Sequence, residues 1–375
     1  MAEKTNTNAS KRLTLVMTHQ CNFDCRYCLQ KHEEAYMPRE IAVKAIDQLS
    51  ERVERDVEKG KQSVQISFYG GEPLLARSEI EYLVEYAGSK MGSLPGVRLA
   101  FEITTNGLLL DEDFISFAKK NHIILALSHD GLMQDLSRVD RGGNPTRERV
   151  DAKLQMLLKA FPDTVVMMTV HPDLVEKLAD SVLFFREKGV RCVSMVLAHG
   201  ERVKWNEDKF EKLSAELEKV EAFYEENNRG DQVFRFVPFD NKIRNYIRGR
   251  DADSALCHFG GHKMMVDLDG KIYPCSHFIG RDGFCTGSVD EGVDQSRIDS
   301  LEAKRIEAEE CAECALRSRC HHKCACANHG HTGSMSTVSA LQCEYERLLI
   351  GLADQAAESL LKPENPRFIE RMYKP

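Results

Sequence analysis

Several kinds of sequence feature are absent from this chain of 375 residues. No run of about 18 or more apolar residues occurs, so no segment is predicted to cross a membrane. The opening residues, MAEKTNTNAS, contain no apolar stretch of the kind found in a signal peptide. Basic residues do not predominate either, because 51 lysines and arginines face 59 aspartates and glutamates. We therefore expect a cytoplasmic protein with neither a membrane nor a nucleic-acid partner.

Cysteine, in contrast, is abundant, with 13 residues in the chain. Disulfides are rare in the reducing cytoplasm, so these cysteines are better explained as metal ligands or redox groups. Hydrophobic residues at 42% and charged residues at 29% are typical of a globular chain, which argues against disorder. The length suits two domains.

Short apolar or β-branched runs alternate with helix-like segments over the first two thirds of the chain. This alternation predicts an α/β fold of parallel β–α units that wind into an open sheet or an incomplete barrel. The predicted strands are 13–18, 64–69, 99–104, 123–128, 164–170 and 192–197. The predicted helices include 78–90, 111–120, 147–160 and 174–188, followed by a charged helix at 206–228 and a closing helix at 338–361.

Polar or glycine-rich turns follow the first four predicted strands. In both an open sheet and a barrel, reactive groups lie at the carboxyl ends of parallel strands. We therefore expect these turns to form one composite site. They comprise residues 21–28, 70–73, 104–107 and 128–131.

Three cysteines, Cys21, Cys25 and Cys28, lie in the first of these turns. Three thiolates on one loop can ligate three irons of a [4Fe–4S] cluster and leave the fourth iron open for a small molecule. The alternatives are a zinc-binding loop or buried cysteines that act as small hydrophobic residues.

The loop CNFDCRYC at 21–28 resembles the CxxxCxxC hallmark of the radical SAM enzymes, with the aromatic Tyr27 before the last cysteine. GGEP at 70–73 matches a second motif of that family, in which the turn binds the methionine amino group of S-adenosylmethionine (SAM). Glycine has no Cβ, so such a turn can approach a ligand closely. The resemblance implies a partial (β/α)6 TIM-like barrel with a [4Fe–4S] cluster that holds SAM.

Further SAM contacts follow from the same resemblance. Ser128 is implied to contact the ribose, and Arg138 the carboxylate, which a guanidinium can bind through two hydrogen bonds. Arg141 is an alternative to Arg138, because the spacer before the arginine is short. Thr105 and Asn106 fit turn capping as well as a ligand contact. The full set of implied SAM-binding residues is Tyr27, Gly70, Gly71, Glu72, Thr105, Asn106, Ser128, Asp130 and Arg138.

A second set of cysteines spans residues 257–343. It resembles the seven-cysteine SPASM extension of radical SAM enzymes that modify peptides, so the resemblance covers about 13–343. One auxiliary [4Fe–4S] cluster is implied on Cys311, Cys314, Cys320 and Cys343, and another on Cys257, Cys275 and Cys324. The fourth position of the latter is open, or is filled by Cys285, Cys326 or a histidine such as His262. A pair of zinc ribbons is the alternative.

The remaining cysteine and histidines have simpler interpretations. Cys192, on the sixth predicted strand, is interpreted as a core residue. Histidines beside metal-binding loops are often solvated or support the ligands indirectly, so no role is assigned to the four histidines that lie near Cys320 and Cys324. They are His321, His322, His329 and His331.

These motifs together predict the domain organisation. We expect a disordered tail at 1–12, a radical SAM barrel at 13–235, a SPASM domain at 236–345, and a C-terminal helix and tail at 346–375. The implied cofactors are SAM and three [4Fe–4S] clusters.

The resemblance implies a maturase that cleaves SAM reductively and abstracts hydrogen from a ribosomally made precursor peptide. We favour a crosslink from a cysteine sulfur to a carbon, that is, a thioether. A carbon–carbon crosslink and an epimerisation remain open. Anaerobic sulfatase-maturating enzymes are the runner-up, although Ser276 follows Cys275 where those enzymes typically have an aspartate.

The implied partners are the peptide and an electron donor of the flavodoxin or ferredoxin type. Leader recognition falls either to the barrel–SPASM surface or to a separate leader-binding protein. A cluster-bearing electron carrier or a zinc scaffold would explain the second cysteine set. Neither would explain GGEP beside a three-cysteine loop.

Overall fold

The computed structural model describes residues 10–30, 32–200, 202–248 and 263–374. Within these ranges the main sheet has nine strands and is mostly parallel. The strands, including two short pairs outside the main sheet, are β1 (Ser10–Thr18), β2 (Phe23–Cys25), β3 (Gln62–Gly70), β4 (Val97–Thr105), β5 (Ile123–Ser128), β6 (Arg138–Asp140), β7 (Val165–Val170), β8 (Cys192–Leu197), β9 (Arg235–Phe236), β10 (Lys263–Val266), β11 (Ile272–Tyr273), β12 (Gly287–Ser288) and β13 (Gly292–Val293).

Six parallel strands follow one another across the sheet in chain order, as β1-β3-β4-β5-β7-β8. This is the order that consecutive β–α units produce when each new strand pairs with the preceding one. β9 extends the sheet beyond β8, and β10 and β11 extend it beyond β1. The expected α/β fold with a partial (β/α)6 barrel is confirmed.

Most of the helices alternate with these strands and cover the sheet. In the first helix, Ala42, Ala45, Ile46, Leu49 and Val53 form a buried stripe at helical spacing, so packing against the sheet explains its formation. The α-helices are α1 (Arg39–Arg55), α2 (Arg77–Met91), α3 (Glu112–Lys120), α4 (Gln134–Ser137), α5 (Arg147–Ala160), α6 (Leu178–Glu187), α7 (Glu207–Glu226), α8 (Val237–Arg248), α9 (Gln295–Glu302), α10 (Glu309–Ala312), α11 (Ala325–Thr332), α12 (Ala340–Leu360) and α13 (Pro366–Tyr373).

The structure differs from the sequence predictions at the N-terminal tail and in the segment at 174–188. β1 begins at Ser10, within the expected tail, because residues 10–12 pair with β3. The segment predicted as one helix at 174–188 starts as a 3₁₀ helix, Pro172–Lys177, and becomes α-helical only at Leu178. Proline suits the first turn of a helix because it has no N–H to donate. Neither difference affects the four turns that follow β1, β3, β4 and β5.

The C-terminal cysteine-rich region shares elements with the barrel. β10 pairs in parallel with β1, so residues after 236 complete one side of the main sheet. The region also has a small core of its own, formed by Tyr273, Phe278, Leu301, Ala325 and Met335. α12 starts before the expected boundary at 346 and carries Cys343 in its first turn. No helix among the described residues is long and apolar enough to span a membrane.

Candidate active site

The glycine turn after β3 lies against the backbone of the cysteine loop. Gly71 N donates to Thr18 O at 2.8 Å, and Glu72 N donates to Gln20 O at 2.9 Å. A Cβ on Gly70 would collide with Thr18 O, and one on Gly71 would collide with Gln20 O. Gly70 also has a φ of 133°, which residues with a side chain rarely adopt. The glycines are therefore required for this approach of two chain segments, in addition to any approach to a ligand.

The Glu72 carboxylate joins the β3 turn to the β4 turn. It is fully buried, and it accepts hydrogen bonds from Thr105 Oγ1 at 2.7 Å, Asn106 N at 2.8 Å and Leu74 N at 3.1 Å. Burial raises the pKa of Glu72, while the three donors oppose that rise. The carboxylate therefore fixes two of the strand-end turns relative to each other.

Asn106 connects the β4 turn to the cysteine loop. Its Nδ2 donates to Asn22 Oδ1 at 2.6 Å and lies 3.9 Å from Cys21 Sγ. Its Oδ1 accepts from Leu108 N at 3.1 Å, so the side chain also caps its own turn. The same asparagine thus stabilises the turn and positions the first cysteine.

Asp130, after β5, binds the other end of the cysteine loop. Its carboxylate accepts hydrogen bonds from Tyr27 Oη at 2.5 Å, Ser137 Oγ at 2.6 Å and Thr169 N at 2.9 Å. Arg138 Nε lies 3.0 Å from the same group. Burial alone would lower the pKa of Arg138, but the Asp130 charge raises it. Asp130 and Arg138 are therefore engaged with each other inside the protein.

The cysteine loop also forms a short antiparallel pair with the segment after α4. In this β2–β6 pair Cys25 lies opposite Arg138, and Arg141 N donates to Asn22 O at 3.2 Å. Arg141 is exposed, whereas Ser128, at the end of β5, is half-buried. The four turns predicted to form one site are thus brought together around the cysteine loop.

The three thiols of the loop lie close enough to influence one another. Burial, with a smaller contribution from the negative charge of Cys28, raises the pKa of Cys21 to about 11 and that of Cys25 to about 12. Burial also raises the pKa of Cys28. Thiolates that are buried close to one another require a nearby positive charge, and iron supplies it. The donor set therefore fits three ligands of a [4Fe–4S] cluster.

A second group of thiols contains Cys275, Cys324 and Cys326. Cys324 Sγ and Cys326 Sγ lie 3.4 Å apart, and a hydrogen bond from the Cys326 thiol lowers the pKa of both Cys275 and Cys324. Cys326, one of the candidates for the fourth position, is therefore next to the two expected ligands. Cys257 and His262 lie outside the described residues.

Cys285 is placed differently, with its Sγ donating to Gly287 O at 3.3 Å. It belongs to the periphery of the small C-terminal core. Cys192 is buried on β8, as expected for a core residue.

A third group of thiols lies where α12 meets the loop around α10. Burial raises the pKa of Cys311, and the charges of Cys343 and Cys314 add to that rise. Cys343, Cys314 and Cys320 all raise the pKa of Arg347, Cys343 by a direct hydrogen bond. All four cysteines expected to hold one auxiliary cluster are thus near one another. Among the described residues, no three histidine, cysteine or acidic side chains form a group suited to a single metal ion.

Sequence reasoning missed a cluster of imidazoles at the end of β8. The rings of His199 and His277 stack with centroids 4.9 Å apart, and His331 lies 5.5 Å from His199. Burial lowers the pKa of His277 to about 4, and it also lowers the pKa of His199. His199 follows a parallel strand by two residues, so the strand-end rule that identified the other turns could have identified it.

Tyr69 was also missed, although it directly precedes GGEP. Its hydroxyl accepts from Gln30 Nε2 at 3.2 Å and also hydrogen-bonds Ser276. Burial raises the pKa of Tyr69, and the charges of Cys28 and Cys275 add to that rise. Tyr69 therefore lies between the cysteine loop and the second group of thiols.

Comparison with known proteins agrees with this geometry. Residues 15–186 match the radical SAM superfamily. The fold, the site and this match together define a radical SAM domain in that part of the chain.

Among curated relatives, the cysteine-type anaerobic sulfatase-maturating enzyme of Clostridium perfringens strain 13 is 22% identical over 272 residues, which cover 69% of this chain and 72% of the relative. Two solved structures share the fold. Native anSMEcpe with bound AdoMet and Cp18Cys peptide has a TM-score of 0.76 at 20% identity, and the match covers 97% of this chain and 99% of that one. Streptococcus suis SuiB bound to precursor peptide SuiA has a TM-score of 0.62 at 16% identity, over 88% and 75% of the two chains.

Proposed function

We propose that this protein is a radical SAM maturase that installs a crosslink in a ribosomally made precursor peptide, with a cysteine thioether as the product. SAM, one [4Fe–4S] cluster on Cys21, Cys25 and Cys28, and two auxiliary clusters are its cofactors. A flavodoxin or ferredoxin supplies electrons. Structures of the same fold that are bound to a peptide, named above, support a peptide as the substrate.

One observation carries the proposal: the second group of thiols faces the cysteine loop across Tyr69. The Tyr69 hydroxyl hydrogen-bonds Gln30 on one side and Ser276, the neighbour of Cys275, on the other. A peptide held in this gap would have its reacting carbon near SAM and its thiol near the auxiliary site. An enzyme that forms a thioether must hold the reacting carbon and the thiol at the same time. An electron carrier has no such requirement.

Cys21, Cys25 and Cys28 would hold the cluster, and with SAM it would supply the radical chemistry that removes a hydrogen atom from carbon. The residues of this chain bind and orient those cofactors. Gly70 and Gly71 expose backbone for the methionine amino group, while Glu72 and Asn106 hold the turns beneath it. Ser128 offers its hydroxyl to the ribose, and packing of the C-terminal region over the strand ends limits the access of water.

An arginine on the β6 side of the site would bind the SAM carboxylate. Arg138 is the proposed partner, oriented by its ion pair with Asp130. Arg141, on the exposed side of the same segment, is the alternative. The two can be separated by replacing each with lysine, which keeps the charge but not the two-pronged geometry of a guanidinium.

The test is to co-express the enzyme anaerobically with candidate precursor peptides encoded beside its gene. The masses of the peptides are then measured by mass spectrometry. A loss of hydrogen pairs together with thiols that no longer alkylate is the expected result. The same loss with free thiols would instead indicate a carbon–carbon crosslink. An unchanged mass with deuterium uptake from heavy water would indicate epimerisation.

Formylglycine formation on a sulfatase is the second candidate, because a curated relative is named a cysteine-type anaerobic sulfatase-maturating enzyme. Ser276 and His277 follow Cys275 in place of an acidic residue. Loss of the cysteine sulfur from a sulfatase peptide, with the precursor peptides untouched, would overturn the crosslinking proposal.

A further inference from the structure

The edge of β8 is only partly paired. On one side β8 pairs with β7 along its whole length, from Cys192 to Leu197. On the other side β9 pairs only with Cys192 and Val193. In the described part of the chain, no strand pairs with residues 194–197 on that side.

The backbone of this segment is oriented for pairing. Ala198 N donates to Val170 O on β7 at 2.9 Å. Successive backbone groups in a strand alternate in direction, so the N–H groups of Met195 and Leu197 point away from β7. Unpaired groups of this kind form a template for another extended chain.

The same segment lines a cavity of about 500 Å³. The facing walls include Asn241 of α8, Tyr345 of α12, and the thiols Cys324 and Cys326. Val196 is 51% exposed. An apolar, half-exposed side chain on an unpaired edge is an aggregation liability unless something covers it.

The chain directly after this edge contacts both the segment of the cysteine loop and the segment that follows Cys275. Beyond Leu197, Gly200 packs so closely on Leu29 of the cysteine loop that an added Cβ would lie 2.6 Å from Leu29 Cδ2. His199 stacks on His277, two residues after Cys275. At roughly 3.3 Å per residue, about five residues of an added strand would run along residues 194–197 and reach His199.

We propose that residues 194–197 of β8 bind an extended segment of the peptide substrate as an added strand and so deliver its reacting residue to the gap beside His199. This inference rests on the proposed function, and it adds how the peptide is held. Backbone hydrogen bonds supply affinity with little dependence on sequence, while the cavity accommodates alternate side chains. The continuity of the edge with the proposed reaction site favours the peptide over a second copy of the chain as its occupant.

Leu197→Pro tests the proposal, because proline removes the N–H that faces the open edge and leaves the β7 ladder intact. Leu197→Ala is the matched control, since it loses the same side chain but keeps the N–H. The probes are fluorescein-labelled synthetic peptides from the short reading frames beside the gene, titrated into the full-length, iron-loaded protein. Fluorescence anisotropy should show binding about fivefold or more weaker for the proline variant than for the alanine variant.

A second measurement does not depend on how the proline variant folds. Each residue of the bound peptide is N-methylated in turn and titrated into the wild-type protein. Strand addition predicts losses of affinity at alternate residues over a stretch of about five. Circular dichroism and iron analysis check that both Leu197 variants fold and load iron to the same extent.

Equal affinities of the variants together with a flat methylation scan would overturn this inference, while peptide modification by the wild type would leave the proposed function standing. A wild-type dimer that Leu197→Pro dissociates would assign the edge to a second copy and also overturn it. If the wild type neither binds nor modifies any of the peptides, the proposed function fails and the inference fails with it.

Discussion

Asp130 and Arg138 form a buried ion pair, with 3.0 Å between Oδ2 and Nε. The same carboxylate accepts a hydrogen bond from Tyr27, and Arg138 lies opposite Cys25 across two short strands. The pair therefore holds two residues of the cysteine loop. A buried charge that loses its partner keeps the cost of its desolvation, so this pair should matter more than an exposed pair on the same loop.

Asp130→Asn is expected to lower the free energy of unfolding by about 3–5 kcal/mol, because Arg138 remains buried without its counter-charge. The control is Asp173→Asn. Asp173 forms an exposed ion pair with Arg26 of the cysteine loop, and the substitution removes that pair. Its expected effect is within about 1 kcal/mol. Anaerobic urea unfolding followed by circular dichroism measures both changes. Equal losses in the two variants would contradict the role assigned to the buried pair.

Gly71→Ala should disturb the cysteine loop, because its Cβ would collide with Gln20 O. We expect a destabilisation of about 1–3 kcal/mol from overpacking, together with a loss of iron and sulfide. Gly88→Ala is the control, since Gly88 lies in α2 with open space around its Cβ position. That change should stabilise the helix by about 0.5–1 kcal/mol. Iron and sulfide analysis after anaerobic reconstitution distinguishes the variants, and full iron content in Gly71→Ala would refute the expectation.

The strands and the grouping of their terminal turns could be predicted from the sequence. The predicted strands at 123–128 and 192–197 coincide with β5 and β8, because alternation and β-branched residues are local signals. The four turns at the strand ends meet for a topological reason, since the carboxyl ends of parallel strands share one edge. No knowledge of side-chain contacts was needed for either prediction.

What could not be predicted depends on contacts between distant parts of the chain. The collision that requires Gly71 involves Gln20, and no local pattern records that approach. The stacking of His199 on His277 likewise joins the barrel to the C-terminal region. Cys326 could not be distinguished from Cys285 by spacing alone, because the distinction depends on which thiol the fold turns towards Cys324.

Cys326→Ser should remove iron, because the Cys326 thiol lies 3.4 Å from Cys324 Sγ and hydrogen-bonds Cys275. If Cys326 completes that auxiliary cluster, the variant loses about one cluster's worth of iron and sulfide per chain. Cys285→Ser is the control, because the Cys285 thiol donates to Gly287 O instead. It should keep the wild-type iron content. A full complement of iron in Cys326→Ser would show that another group, or an open position, completes the cluster.

Lys242, a buried lysine of α8, contacts the segment that carries the third group of thiols. Lys242 of α8 and Glu346 of α12 form an ion pair, with side chains only 1% and 6% exposed. Lys242 Nζ also donates to Arg319 O at 3.0 Å, and Glu346 accepts from His321 N at 2.8 Å. Burial and then the Glu346 charge raise the pKa of the neighbouring Cys320 to about 12. Lys242 therefore offsets a negative charge beside a proposed cluster ligand.

Lys242→Met should lower the free energy of unfolding by about 3–5 kcal/mol, because it removes the lysine that pairs with the buried Glu346. Adding Glu346→Gln removes that uncompensated charge, so the double variant should recover much of the loss. The coupling energy from the full cycle, measured by anaerobic urea unfolding, should be about 2 kcal/mol or more. Additive losses would mean that the two side chains act independently. Iron analysis adds a second readout, since the Glu346 charge beside Cys320, without Lys242 to offset it, should impair cluster loading in the single variant and less so in the double variant.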